Sequence, residues 1–178
     1  MDQNIHGLTP ASEWIVRYAA LIRPQGTVLD VACGAGRHMR LLSTMGMRCV
    51  GIDQSAVALE HARPHGEVIC ADIEGAPWPL PGRRFDAVVV THYLWRPLFP
   101  KLLEALADGG VLLYETFAQG QETVGKPSRP EFLLKPGELL NWAQDSGLSV
   151  VAFEDVWLEH PRRRIQRLAA SRCVAGTA

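Results

Sequence analysis

The sequence predicts a doubly wound α/β domain, and three observations carry that expectation. Strand-like and helix-like patterns alternate five times along the chain. Phe85–Thr91 encloses Val88-Val89-Val90, the continuous apolar run of a central parallel strand covered on both faces. VLDVACGAGRH (28–38) reads as a buried strand, a glycine-rich turn and the start of a helix.

Taken in order, residues 9–22 carry Trp14, Ile15, Tyr18, Leu21 and Ile22 at helical spacing behind Thr9-Pro10, a cap and first-turn pair. Pro24-Gln25-Gly26 ends that helix, so residues 1–26 form an amino-terminal helix and linker. A strand is expected at 27–32, a helix at 36–45, a strand at 48–53, and a helix at 55–63 between Ser55 and Pro64. A third strand at 67–72 leads into a loop rich in proline and glycine. After the strand at 85–91 come a helix at 98–107 closed by Gly109-Gly110, a strand at 111–117 and a helix at 136–146. Two strands, 148–157 and 164–173, close the chain as a hairpin. Residues 119–135 have no period and are long for a connection, which favours a substrate loop or lid. The expectation is a single domain over 1–178.

With 47% apolar and 21% charged residues, the composition is that of a globular protein. A net charge of −1 gives no global attraction to nucleic acid or to an anionic membrane. Arg162-Arg163-Arg164 is the one dense basic run and reads as a solvated strand or turn. The start of the chain holds no apolar core of a secretory signal, and no apolar run is long enough to span a bilayer, so a cytoplasmic protein is expected. Cys33, Cys49, Cys70 and Cys173 are scattered, and His61 and His65 are separated by Pro64 without an accompanying carboxylate. No metal is expected.

The charges around the glycine turn indicate the ligand. Asp30 ends the first strand beside the turn, Asp53 ends the second 19 residues after Gly34, and Asp72 ends the third. A carboxylate at Asp30 would repel a pyrophosphate held at the helix amino terminus. Met39 also stands where a dinucleotide fingerprint has its third glycine. A cationic, phosphate-free nucleoside fits better, and S-adenosylmethionine carries an ammonium and a sulfonium. Gly34 and Gly36 let the backbone approach it, Asp53 can accept from a ribose diol, and Asp72 can orient the adenine amine. Each acid has a plainer reading beside this one: Asp53 and Asp72 as helix caps, and Asp30 as the partner of Arg37.

The chain resembles the class I S-adenosylmethionine-dependent methyltransferases over essentially its whole length. The residues that carry the likeness are VLDVACGAG (28–36), GID (51–53), ADI (71–73), FDAVVV (85–90) and LADGGVLLYETF (106–117). The resemblance implies a Rossmann-like seven-stranded sheet, mostly parallel with the last strand antiparallel. It implies a cofactor site at Asp30, Ala32, Cys33, Gly34, Gly36, Asp53, Gln54, Asp72, Ile73 and Thr91, with S-adenosylhomocysteine as the product. Ala32 departs from the family's usual glycine. GRH (36–38), PGEL (136–139) and VWLEHPRRRIQRLAASR (156–172) are similar to the small tellurite-resistance-like group, which implies a functional histidine near His160.

Methyl transfer from a sulfonium needs chiefly alignment and exclusion of water. A base is required only for a protonated acceptor. THYLWR (91–96) ends the fourth strand at the crevice, so His92 is a candidate base, with Tyr93, Trp95 and Arg96 as candidate substrate contacts. Tyr114 and Phe117 end the fifth strand on the same side. The plainer reading of Tyr93 and Trp95 is packing on the next helix, and of His160 a solvated turn. The expected acceptor is a small molecule. The alternatives are an NAD-dependent oxidoreductase, which Asp30 and Met39 disfavour, and a cofactor-binding partner protein without catalysis.

Overall fold

A computed structural model describes residues 9–173. Seven strands form one sheet in the order β3-β2-β1-β4-β5-β7-β6: β1 Thr27–Val31, β2 Arg48–Asp53, β3 Gly66–Cys70, β4 Phe85–Thr91, β5 Leu106–Phe117, β6 Leu148–Glu159 and β7 Arg162–Arg172. The strands β1 to β5 pair in parallel, whereas β7 runs antiparallel to both β5 and β6. Among the described residues the α-helices are α1 Glu13–Tyr18, α2 Arg37–Thr44, α3 Ala56–Ala62, α4 Phe99–Glu104 and α5 Glu138–Asp145, with short 3-10 turns between elements. No helix among the described residues is long and apolar enough to cross a membrane.

Alternation along the strands sends residues to two separate cores. Leu29, Val31, Val88, Val90, Leu112 and Tyr114 pack with Leu102 of α4 and Leu139 of α5. Val28, Ala87, Val89 and Leu113 pack on the other face with Trp14, Met39 and Leu59 from α1, α2 and α3. Asp30 alternates onto this second face. Fully burying each large side chain contributes about 1.5–3 kcal/mol, so both layers hold the strand ends rigidly in place.

Some boundaries differ from the sequence expectation for local reasons. The first helix begins at Glu13, because the hydroxyl of Ser12, rather than Thr9-Pro10, caps it by accepting from the Trp14 amide at 3.1 Å. Gly109-Gly110 does not close α4. It lies inside β5, where the ladder to β4 jumps from Phe85↔Leu106 to Ala87↔Val111. Gly109 takes φ +74°, and a Cβ on Gly110 would come within 2.8 Å of the Ala107 carbonyl oxygen, so this bulge requires glycine. The third strand stops at Cys70, because Asp72 Oδ1 accepts the amides of Glu74 and Gly75 and turns the chain.

The long connection after β5 is tied down by Arg96. Its guanidinium donates to both carboxylate oxygens of Glu138, at 2.6 and 2.9 Å, and to the carbonyls of Glu131 and Leu133. Gln121 adds a second tether by accepting from the Arg164 amide and donating to the Lys126 carbonyl. Arg96→Ala is expected to raise amide exchange in 119–138 about tenfold or more and to lower the melting temperature by a few degrees, because several charge-assisted bonds are lost together. An unchanged exchange rate in that segment would show that Arg96 does not hold it.

Candidate functional site

The chain runs outward from β1 through β2 to β3, then returns to β4 on the other side of β1. Beyond the carboxyl ends of β1 and β4 the direction of winding therefore switches, which opens a ligand crevice. The glycine turn after β1 lines it. Ala32, Gly34 and Gly36 have φ of +54°, +54° and +77°. At Ala32 this left-handed conformation costs about 1–2 kcal/mol, a cost that glycine would not carry. A Cβ on Gly34 would meet no protein atom within 4 Å, whereas one on Gly36 would lie 2.7 Å from the Ala62 Cβ. Gly34 thus keeps space open for a ligand, and Gly36 lets α2 pack on α3.

Three adjoining hollows follow the crevice. The first, about 190 Å³, is lined by Ala32, Asp53, Gln54, Ala71, Asp72, Ile73, Glu74 and Tyr93. The second, about 200 Å³, is lined by Ala32, Cys33, Gly34, Arg37, His38, Thr91 and His92. The third, about 290 Å³, is lined by Glu74, His92, Tyr93, Leu94, Thr116, Phe117, Pro127 and Phe132. Singly each is smaller than a typical small-ligand site, and together they reach that size. The first two share Ala32, the second and third share His92, and the first and third share Tyr93 and Glu74.

Asp53 has a double role at the first hollow. Its Oδ2 accepts the Gly34 amide at 2.8 Å and its Oδ1 the Ser55 amide at 2.9 Å, joining the glycine turn to the start of α3. Tyr93 donates its hydroxyl to Glu74 at 3.1 Å, and burial with the neighbouring carboxylate raises its pKa.

Behind the second hollow lies an unusual buried charge. Asp30 is 1% exposed, and neither carboxylate oxygen has a hydrogen-bond partner among the described residues. Burial pushes its carboxyl up to about 7, with Arg37 opposing and Asp53 adding to the rise. His38 Nδ1 stands 3.8 Å away. The Ser12 amide donates to His38 Nε2 at 3.2 Å, which leaves the ring's proton on Nδ1, facing Asp30 and Thr91. Burial holds His38 down to about 3, so it is neutral, with Arg37 lowering it further and Glu115 opposing. Arg37 turns away from Asp30, toward Thr91 Oγ1 and His92 Nδ1, each at 3.4 Å. The plainer reading of Asp30 as the partner of Arg37 therefore finds no hydrogen bond between them.

The predicted residues divide clearly. Ala32, Cys33, Gly34, Asp53, Gln54, Asp72, Ile73, Thr91, His92, Tyr93 and Phe117 line the hollows. Gly36 and Asp30 stand behind the lining. Tyr114 is buried and donates its hydroxyl to the Tyr93 carbonyl, Trp95 packs against the core, and Arg96 is committed to Glu138. These three do not line the crevice, because their partners lie within the fold. His160 is exposed at the tip of the β6–β7 hairpin and lines none of the hollows.

Sequence reasoning missed Arg37 and His38 as lining residues, although a first-turn position on α2 after the glycines was the signal for them. It also missed Glu74, which comes from an irregular segment without a pattern, and it named Pro127 and Phe132 only through the 119–135 loop, not individually.

The cofactor implied by the family fits this site. An orphaned buried carboxylate suits an ammonium, the open face at Gly34 suits close approach, and the Asp53 and Asp72 end suits a nucleoside. Residues 28–110 match a family described as a methyltransferase domain. A tRNA U34 carboxymethyltransferase of Shewanella putrefaciens is 30% identical over 171 residues, 78% of this chain and 50% of that protein. Its counterpart in Shewanella denitrificans is 30% identical over 190 residues, 86% of this chain and 55% of that protein. The chain thus spans about half the length of the curated relatives it matches. Among solved structures, TehB from Haemophilus influenzae superposes with a TM-score of 0.75 at 19% identity, over 91% of this chain and 62% of that chain. An S-adenosylmethionine-dependent methyltransferase from Mesorhizobium loti gives 0.71 at 20% identity, over 91% of this chain and 98% of that chain. Residues 28–110 thus form part of a methyltransferase domain, carried on a β3-β2-β1-β4-β5-β7-β6 sheet whose fold the chain shares with TehB and with the Mesorhizobium loti S-adenosylmethionine-dependent methyltransferase.

Proposed function

We propose that this chain transfers a methyl group to a small-molecule acceptor seated in the third hollow. The observation that carries this reading is the contiguity of the three hollows: His92 and Tyr93 are walls common to cofactor and acceptor spaces. When bound, S-adenosylmethionine supplies an activated methyl group on sulfur. Asp53 and Asp72 hold the nucleoside end, Arg37 faces the carboxylate of the methionine end, and Asp30, buried behind the lining, supplies the counter-charge to its ammonium. Tyr93, Leu94, Phe117, Pro127 and Phe132 give the acceptor an apolar, largely aromatic seat that excludes water. Residues 119–135 supply part of that wall, and His92 takes the acceptor's proton where there is one.

The test is titration calorimetry with S-adenosylmethionine and with NAD, followed by detection of S-adenosylhomocysteine with a panel of small acceptors. Micromolar binding of S-adenosylmethionine, no binding of NAD and turnover on a small acceptor are expected. Binding of NAD alone would overturn the reading. Binding without transfer to any acceptor would favour a partner protein.

A tRNA acceptor is the second reading, favoured by the identity to tRNA U34 carboxymethyltransferases. The net charge of −1 weighs against it, because RNA binding draws on clustered positive charge. Labelled methyl appearing in tRNA, and in no small molecule, would decide for it.

A further inference from the structure

We infer that Glu115 is the positioning residue of a His92–Glu115 dyad, and that the acceptor is therefore a hydroxyl compound that must give up a proton as it is methylated. This rests on the methyl-transfer reading above and deepens it.

Glu115 lies near the end of β5 with no exposed surface. Its Oε2 accepts from Ser12 Oγ at 3.0 Å and from Arg167 Nε at 2.8 Å. Its Oε1 has no donor in hydrogen-bonding geometry and faces His92 Nε2 at 3.5 Å. Burial alone would push this carboxyl up, but His92, Arg167 and Ser12 overcome it and hold it down at about 2. A buried, ionised carboxylate with one free oxygen is costly to a fold. A role as counter-ion to Arg167 accounts for Oε2 only, and Arg167 also has Glu154 at 3.3 Å.

His92 is held as an aimed side chain would be. Its backbone takes φ +54°, rare outside glycine, and its amide donates to the Glu115 carbonyl at 2.8 Å. The ring packs on Phe117, 4.9 Å between centroids, and borders both the cofactor and acceptor hollows.

The charges around the ring select one tautomer. Arg37 from α2 faces Nδ1 at 3.4 Å, while Glu115 from β5 and Arg163 from β7 face Nε2 at 3.5 and 3.4 Å. Neutral His38 lies behind on α2. With its proton on Nε2, the ring donates toward the carboxylate and turns its lone pair on Nδ1 toward a guanidinium. The opposite tautomer gains a contact with Arg163 but sets a lone pair against Glu115 and N–H against N–H at Arg37, so two neighbours oppose it and one favours it. Nδ1 is therefore the basic atom, and its long contact with Arg37 is one an acceptor hydroxyl can replace.

The step then balances. The acceptor oxygen forms its bond to the methyl carbon, its proton passes to Nδ1, and the electron pair of the sulfur–methyl bond returns to sulfur. Glu115 stabilises the imidazolium as it forms. The aromatic walls at Tyr93, Phe117 and Phe132 suit a flat hydroxy-aromatic acceptor.

Two measurements test this on the full chain. Nitrogen-15 NMR of the histidine side chains, with His92 assigned from His92→Asn, should show the Nε2–H tautomer in the wild type. Phenol and 4-nitrophenol then serve as probe acceptors, followed by S-adenosylhomocysteine release. The nitrophenol is largely ionised at pH 8 and does not need a base. Glu115→Gln should lower kcat for phenol about 10- to 100-fold and leave kcat for 4-nitrophenol within about threefold, with Glu115→Asp partly restoring phenol turnover. An Nδ1–H tautomer, an equal loss on both phenols, or binding of S-adenosylmethionine with no methylation of either phenol would overturn the dyad. Failure to bind S-adenosylmethionine at all would instead overturn the methyl-transfer reading.

Discussion

Asp53→Ala is expected to weaken S-adenosylmethionine binding about 100-fold. The carboxylate borders the first hollow and also accepts the Gly34 and Ser55 amides at 2.8 and 2.9 Å. Removing it deletes the acceptor proposed for the ribose and frees the glycine turn that shapes the second hollow. Hydrogen bonds to a charged group contribute about 1.5–3 kcal/mol each, and about 2.7 kcal/mol is a factor of 100 in affinity. Asp53→Asn separates the two roles. It keeps one oxygen for the Gly34 amide but loses the charge, so an intermediate affinity is expected. Calorimetry, with melting temperatures in parallel, decides the matter. If Asp53→Ala melts lower yet binds the cofactor as tightly as wild type, Asp53 is a structural cap and the ribose assignment fails.

The same residue shows how far the sequence could be read. An acid ending a strand 19 residues after Gly34 indicates its position on the sheet edge, because strand ends follow from apolar runs and turn residues. What its oxygens bond to depends on the backbone geometry of the turn, which no pattern encodes. The sheet was similarly legible: five alternations and a closing hairpin leave few topologies. Residues that meet across the fold were not. Glu115 and His92 are 23 positions apart, and Arg163 belongs to a run that reads as solvated charge. They converge because Thr91 pairs with Glu115 and because β7 returns alongside β5. Arg96 was misread for the same reason. It follows a crevice strand by five residues, yet its partner Glu138 lies 42 residues on.

Asp30→Asn is expected to stabilise the cofactor-free protein at pH 8 and to weaken cofactor binding at least tenfold. The folded carboxyl is raised to about 7 from an ordinary 3.8. The folded state therefore keeps its proton while the unfolded state loses it between about pH 4 and 7. The stability it contributes is fully present below pH 4 and is lost as pH rises through 7, by about 4 kcal/mol in total. His38 acts oppositely. Lowered to about 3 from 6.5, it contributes stability that is lost as pH falls. The two slopes nearly cancel between about pH 4 and 6.5 in the wild type, so a simple pH–stability curve conceals both. The difference between Asp30→Asn and wild type cancels the distant groups and leaves Asp30 together with its coupling to His38, 3.8 Å away. That difference should grow with pH and level off above about 7, reaching a melting-temperature gain on the order of 10 °C. A constant difference at every pH would mean that Asp30 titrates in the folded chain as it does in the unfolded one, with no rise from burial. Cofactor binding supplies an independent check. An ammonium brought to Asp30 favours the ionised form, so binding near pH 6.5 should release a fraction of a proton, read by calorimetry in buffers of different ionisation enthalpy. In Asp30→Asn that proton release should vanish together with the affinity. Loss of affinity without loss of proton release would assign the proton to another group and leave Asp30 only a shape-filling role.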